Sequence, residues 1–401
     1  MVKTAIVTLF YGSRNYGGIL QAFALQKTVS NIDNELSCEL FNYKATQQPI
    51  KERISFAINS RGLLPAAAEI VSRQITQKIT GNFYAKYISS RNTTFRSFRD
   101  TLPQSPVVYT DSNIAEALDR YSIFICGSDV VWGSQTGKLA PVYWLSFVPP
   151  STPKIAYAPS MGSINDTQEN RENIKRFLSS FDAISAREES GCRYLADLIH
   201  DTGKTVSHVL DPTLLLTRDQ WDDFCEYRDV GHKYILAYLI GCNRDQHRNI
   251  IAFSKKTGLP IVSLPFNSGK YSYSDAKFGD ERLFDVSPLE FIGLIKNAEY
   301  IFTDSFHGTV FADIYHKDHF VYKRYKQQTH DSMNQRVYNL LDMLGTRGRL
   351  VDDNATADYL LSLSPINFTE VDLSLTKPRD ESLRFLENSL SAFKVRILSP
   401  E

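Results

Sequence analysis

The chain has no surplus of either charge: 45 lysines and arginines face 45 aspartates and glutamates in 401 residues. A dedicated nucleic-acid binder carries a basic excess, so that class is not expected. Five cysteines, Cys38, Cys126, Cys192, Cys225 and Cys242, show no CxxC spacing and an odd count. A disulfide framework and a cysteine zinc site are therefore not expected, and a reducing cytoplasm fits. No apolar run approaches the roughly 18 residues that span a bilayer. Met1–Phe10 reads as a strand entering a glycine loop, so no signal peptide is expected. HExxH, GxSxG, a P-loop and a persuasive DxD-like pair are missing, and His208, His316, His319 and His330 lack metal-ligand spacing. No metal and no cofactor are expected, and no internal repeat or low-complexity tract is present.

What is there has the composition of a globular protein, 42% hydrophobic and 22% charged. At this length a chain is expected to split into two domains. Lys3–Phe10 is a buried strand, followed by the glycine loop Tyr11–Gly18 and a helix over Ile19–Ser30. The loop is not GxGxxG, and no acidic residue stands where a ribose would need one, so a nicotinamide site is not read here. Glu39–Tyr43 is the expected second strand. Tyr121–Cys126, Lys154–Ala158 and Phe181–Ala186 are further apolar strands, each ending in a loop rich in Gly, Ser, Asp or Arg. Parallel sheets gather such loops on one edge, so they should converge on one crevice.

Val206–Leu210 and Asp211-Pro212-Thr213 read as the crossing into a second α/β unit with strands at Lys233–Ile240, Leu259–Leu264, Tyr300–Phe302 and His319–Tyr322. The domains are placed at 1–206, with a basic helical insertion over about 44–105, and at 207–375. A last helix, 376–401, carries an apolar stripe of Leu383, Leu386, Leu390, Phe393 and Ile397 and is expected to pack back on the first domain. Pro378 suits its first turn. Lys44–Arg99 holds ten basic and two acidic residues, either a solvated face or a surface that meets anionic lipid head groups. Ser268–Asp285, polar and tyrosine-rich, reads as a mobile loop near the cleft.

The most informative stretch is Ala298–Tyr322, AEYIFTDSFHGTVFADIYHKDHFVY. A strand runs into Thr303–Gly308 and then a helix over Thr309–Tyr315, whose amino end offers free N–H groups and positive potential to an anion. Gly308 would let the backbone approach a ligand, and Asp304 or Ser305 can cap the helix. His307 lies in the middle of this geometry, and histidine is the side chain that changes charge near neutral pH. Arg187, with its planar fork of donors, is expected opposite it, and Lys323 and Arg324 follow the next strand. Asp129 and Asp304 are candidate general bases or simple caps.

Six segments, NYGGILQAFALQ, GSDVVW, KIAYAPSMG, ISAREES, VLDPTLLL and TDSFHGTVF, resemble in serial order the signatures of the polysaccharide pyruvyl transferases, over roughly Ala5 to Gly345. The resemblance implies two Rossmann-like α/β domains facing across a cleft, a GT-B-like glycosyltransferase architecture. It implies transfer of a pyruvyl unit from phosphoenolpyruvate to a sugar of a surface polysaccharide or its lipid-linked precursor, as a cyclic ketal with release of phosphate. His307 then matches the active-site histidine, with Asp304 and Asp129 beside it as catalytic candidates. Arg187 matches the donor-binding arginine. Ser305, Gly308, Thr309, Lys323 and Arg324 complete the expected donor side, with Arg336 an alternative to Lys323 or Arg324. Asn15, Tyr16, Gly17, Gly18, Ser128 and Trp132 form the expected acceptor side. The implied setting is cytoplasmic, with peripheral membrane contact open. A nucleotide-sugar glycosyltransferase on the same architecture, or a non-catalytic glycan-binding subunit, would be the alternatives.

Overall fold

The computed structural model describes residues 2–45, 63–133, 138–162, 165–241, 243–267, 269, 271–325 and 331–398, with the backbone alone for 63–80, 331–333 and 394–398. Short apolar runs become strands covered on both faces, as parallel sheets require. The first six are β1 (Val2–Val7), β2 (Leu36–Leu40), β3 (Ile123–Cys126), β4 (Lys154–Ala156), β5 (Ala183–Ala186) and β6 (Val206–His208). The second six are β7 (Ile235–Tyr238), β8 (Ile261–Ser263), β9 (Glu281–Arg282), β10 (Tyr300–Thr303), β11 (Asp318–Tyr322) and β12 (Leu350–Val351). They form two six-stranded sheets in the orders β2-β1-β3-β4-β5-β6 and β12-β11-β10-β7-β8-β9. The strand order reverses between β1 and β3 and again between β7 and β10, and a crevice opens at the carboxyl ends of such neighbours. This is the expected pair of Rossmann-like domains.

Details differ from the expectation. The second strand begins at Leu36 rather than Glu39, because its register with β1 runs from Val2↔Leu36 to Ile6↔Leu40. The first sheet takes in β6, so a boundary at 206 falls at the start of its last strand. The terminal helix is longer than expected, Phe368–Leu398, which places Pro378 inside it rather than in its first turn. Its Leu386, Leu390 and Phe393 are buried in the core, and Ser382 Oγ accepts the Leu210 amide at 2.9 Å.

The insertion is a helix, Leu63–Asp100, and its sequence upstream, 46–62, lies outside the described residues. The end of this helix is not a solvated face. Phe95 and Phe98 enter the core, Tyr87 Oη donates to Pro265 O at 2.9 Å in the second domain, and Arg99 Nη1 donates to Ser13 O in the first. Opposite it, the tyrosine-rich segment has a helical turn at Tyr273–Ala276, and Phe266 packs edge-on against Tyr87 at 4.9 Å. The helix Tyr16–Ile32 is buried on nearly every side because the second domain covers its outer face. One apolar cluster therefore runs through both domains, from Ile6, Leu36 and Ile123 to Leu236, Ile301 and Val321.

Candidate active site between the two sheets

After β10 the chain turns at Asp304-Ser305 into the helix Phe306–Ile314. It starts three residues before Thr309, because Ser305 is the cap and its Oγ accepts the Gly308 amide at 3.3 Å. The Thr309 amide and hydroxyl both donate to Ser305 O at 3.0 Å. Ser305, the Gly308 N–H and Thr309, expected to meet the donor, thus serve the cap. Gly308 is required for a different reason than ligand approach: a Cβ there would lie 2.4 Å from Thr303 Oγ1 and 3.0 Å from Tyr238 Cδ1, so the helix presses directly on the strand ends. Asp304 is also occupied. Its two oxygens accept the Ile240 and Gly241 amides, each at 2.7 Å, and its carbonyl accepts Arg324 Nη2 at 2.8 Å. Asp304 and Arg324 thereby clamp together the loops after β7, β10 and β11, and the carboxylate is ill placed to act as a base.

His307 occupies the first turn of this helix, where amides have no acceptor within the helix. Its Nε2 is 3.6 Å from Asp211 Oδ2, an ion-pair distance rather than a hydrogen bond. The same Oδ2 accepts Arg187 Nη1 at 2.6 Å, while Arg187 Nε donates to Glu188 Oε1 at 3.1 Å. Arg187, at the end of β5, comes from the first domain and His307 from the second, so the two residues singled out in the sequence meet at one carboxylate. The Arg187 guanidinium also lies 4.6 Å from the centre of the Phe306 ring. Burial works against its charge, but Glu188, Asp211 and Asp129 outweigh burial and raise its pKa. Its Nη2 is buried with no hydrogen-bond acceptor among the described residues.

Arg187 and Arg336 both line a cavity of about 320 Å³ between the domains, whose outer wall includes Asn339 and Asp342. Arg336, on the helix Asp331–Met343, is itself buried. Burial, and after it the Arg187 guanidinium, pull its pKa down to about 10, with Glu188 and Asp129 opposing. Two buried guanidiniums bordering one cavity repel each other, and an anion between them would relieve that repulsion. Of the three basic candidates on this side, Arg336 borders the cavity, Arg324 clamps Asp304, and Lys323 is exposed.

The first domain contributes differently from what its motif suggests. A Cβ on Gly17 would lie 2.0 Å from His307 Nδ1, 2.4 Å from Cγ and 2.7 Å from Cε1, so the glycine backbone lies flat under the imidazole. The Gly18 amide donates to Asn15 Oδ1, and a Cβ on Gly18 would meet Asp129 Oδ2 at 3.2 Å. Asn15 is an exposed helix cap. Tyr16 is 1% exposed: its hydroxyl donates to Val286 O at 3.0 Å and its ring stacks on Phe291, which bolts the domains together and leaves no surface for an acceptor. Ser128 is fully buried, with its Oγ on Ala158 O and its amide on Gln21 Oε1. Trp132 stacks on Trp144 at 4.2 Å in the core. These last three act as structural parts beneath the site. Asp129, with φ of 71°, accepts the Ser160 amide through its carbonyl, and its carboxylate faces the Arg187 side. Asp211 was legible only as a domain crossing; its one signal was an acidic residue ahead of Pro-Thr at that crossing.

Among the described residues no group of three or more His, Cys, Asp or Glu side chains is placed to hold a metal ion, and no helix is long and apolar enough to cross a membrane. The chain is similar to a UDP-GlcNAc 2-epimerase from Neisseria meningitidis, with 11% identity over 98% of this chain and 100% of that one and a TM-score of 0.47. It is likewise similar to a UDP-N-acetylglucosamine 2-epimerase from Rickettsia bellii, with 12% identity over 98% and 96% and a TM-score of 0.49. No curated protein matches it in sequence. Residues 15–324, which carry Gly17, Arg187, Asp211 and His307, match the polysaccharide pyruvyl transferases, and the chain belongs to that family.

Proposed function

We propose that this transferase moves a pyruvyl group from phosphoenolpyruvate onto two hydroxyls of a saccharide, forming a cyclic ketal and releasing phosphate. The observation that carries this reading is the interdomain cavity bordered by the buried guanidiniums of Arg187 and Arg336, next to His307. A small donor with a carboxylate at one end and a phosphate at the other matches two fork-shaped cations. In the first step a proton passes from the His307 imidazolium to the methylene carbon, and positive character develops at C2. One saccharide hydroxyl adds to C2 and its proton returns to the imidazole. The second hydroxyl then displaces phosphate, which leaves with that hydroxyl's proton. The acceptor enters past Asn339 and Asp342, since Tyr16, Ser128 and Trp132 are closed to it. In this reading it is a surface polysaccharide sugar or its lipid-linked precursor, met in the cytoplasm with at most peripheral membrane contact.

The test is mass spectrometry of a lipid-linked glycan incubated with phosphoenolpyruvate and the protein, with phosphate release followed in parallel. His307→Ala should lower turnover by about 10²–10⁴-fold, the usual worth of general acid help, while donor binding persists. Arg336→Gln should weaken donor binding instead. Near-normal turnover in His307→Ala, or thermal stabilisation by UDP or GDP sugars and not by phosphoenolpyruvate, overturns the proposal.

A further inference from the structure

We infer that Asp211 is a positioning residue for the proton transfer, holding the His307 ring with Nε2 turned to its carboxylate so that Nδ1 gives and takes back the proton; this rests on the reading above. Asp211 stands at the crossing between the domains, 1% exposed, directly before the helical turn Pro212–Leu214. Its two oxygens have separate duties. Oδ1 accepts the Thr213 amide at 3.0 Å and the Thr213 hydroxyl at 2.7 Å, which locks the carboxylate to the backbone it caps. Oδ2 accepts Arg187 Nη1 at 2.6 Å and faces His307 Nε2 at 3.6 Å. A carboxylate fixed in this way cannot follow either cation, so the cations are placed by it.

The remaining faces of the imidazole are also assigned. Gly17 lies over the ring near Nδ1, because the distances from its Cβ position to Nδ1, Cγ and Cε1 are close to one another, as they are for an atom above the plane. An in-plane neighbour would stand much nearer to one ring atom than to the other two. The ring is therefore held at one face by Gly17 and at Nε2 by Asp211, and the Nδ1 edge is left for substrate. Burial alone would favour the protonated acid, but His307 and Arg187 outweigh it and hold the Asp211 carboxyl well below the usual range. It stays ionised through the cycle, stabilises the imidazolium, and does not itself donate the proton. Among the described residues Asp211 is the one acidic side chain paired with the imidazole; Glu188, Asp129 and Arg336 act on Arg187 behind it.

The same logic of a buried carboxylate fixing a histidine tautomer operates in serine hydrolases, where removing the charge is far more damaging to turnover than to binding. Asp211→Asn keeps the size and the acceptor for Thr213 but removes the charge and the acceptor for Arg187. Its kcat for ketal formation should fall by about 10²-fold, the lower end of what general acid help is worth, and by a larger factor than KM for phosphoenolpyruvate rises. Should Asp211→Asn fail to fold, Thr213→Val provides the second arm, because it removes one of the two bonds that lock Oδ1 and should lower kcat several-fold with KM unchanged. Unchanged kcat in a folded variant, or equal losses in kcat and donor affinity, overturns the inference. A separate readout does not depend on the reaction: ¹⁵N spectra of His307 should show the proton on Nε2 in the wild type and a changed tautomer balance in Asp211→Asn. Identical spectra would refute the positioning role. If the wild type makes no ketal at all, the pyruvyl reading falls while these spectra still decide the role of Asp211.

Discussion

At Gly17 the first domain comes directly against the His307 imidazole, and one missing methyl group makes the approach possible. The glycine loop of the first domain supports the imidazole of a residue 290 positions later in the chain. Gly17→Ala would force the ring or the loop to move, since the new methyl group would meet a ring packed beside Phe306 rather than a flexible side chain. Overpacking of this kind costs about 1–3 kcal/mol. The expected outcome is a melting temperature several degrees lower and a larger fall in turnover than in donor binding; a calorimetric scan with paired kinetics checks it. That His307 and Arg187 would stand at the sheet edges was legible, because each lies in a loop at the carboxyl end of an apolar strand. That Tyr16 and Trp132 were structural was not, because an aromatic beside a glycine loop looks the same in sequence whether it faces a sugar or a second domain.

At the scale of elements, local chemistry placed helix ends well. Arg244–Thr257 begins after the Asn243 cap and ends at Gly258, which adopts φ of 72°. On this helix His247 lies 3.9 Å from the Phe278 ring, stacked parallel to it, and its Nε2 is buried without a hydrogen-bond partner among the described residues. Burial pulls its pKa down from 6.5 to about 4, so it is neutral in the folded protein. Between those values the unfolded chain binds the proton and the native state does not, so this stabilisation is complete above pH 6.5 and is lost as pH falls towards 4. His247→Phe keeps the stack and removes the titration. Its stability relative to the wild type should be nearly constant from pH 7 to 8 and rise steadily between pH 6.5 and 4, as followed by urea midpoints; a difference independent of pH would contradict this. The helix after β10 was misplaced for an equally local reason. Asp304 and Ser305 are both competent caps, and because the Asp304 carboxylate is taken by the Ile240 and Gly241 amides, Ser305 caps the helix and starts it at Phe306.

For the whole molecule, the decisive fact is that the core does not stop at the domain boundary. The Tyr16–Ile32 helix, Trp221 and the terminal helix join both sheets in one cluster, and the insertion helix adds Tyr87 across the gap. Domains joined by a large apolar interface should unfold together. Tryptophan fluorescence, which reports Trp132 and Trp144 in the first domain and Trp221 at the junction, and far-ultraviolet dichroism should give coincident urea transitions. Two separated transitions would show that the shared cluster is energetically weak.

The sequence by itself determined two parallel α/β domains, because short buried runs followed by glycine and polar loops admit few other solutions. It also marked Arg187 and His307, since fork-shaped cations and imidazoles at strand ends are read from local pattern. Tertiary structure alone decided that Asp211 joins them, that Gly17 supports the ring, and that Arg336 rather than Arg324 faces the cavity with Arg187. Each of these depends on how two sheets are set against one another, and that placement arises from long-range packing that no local window of sequence contains.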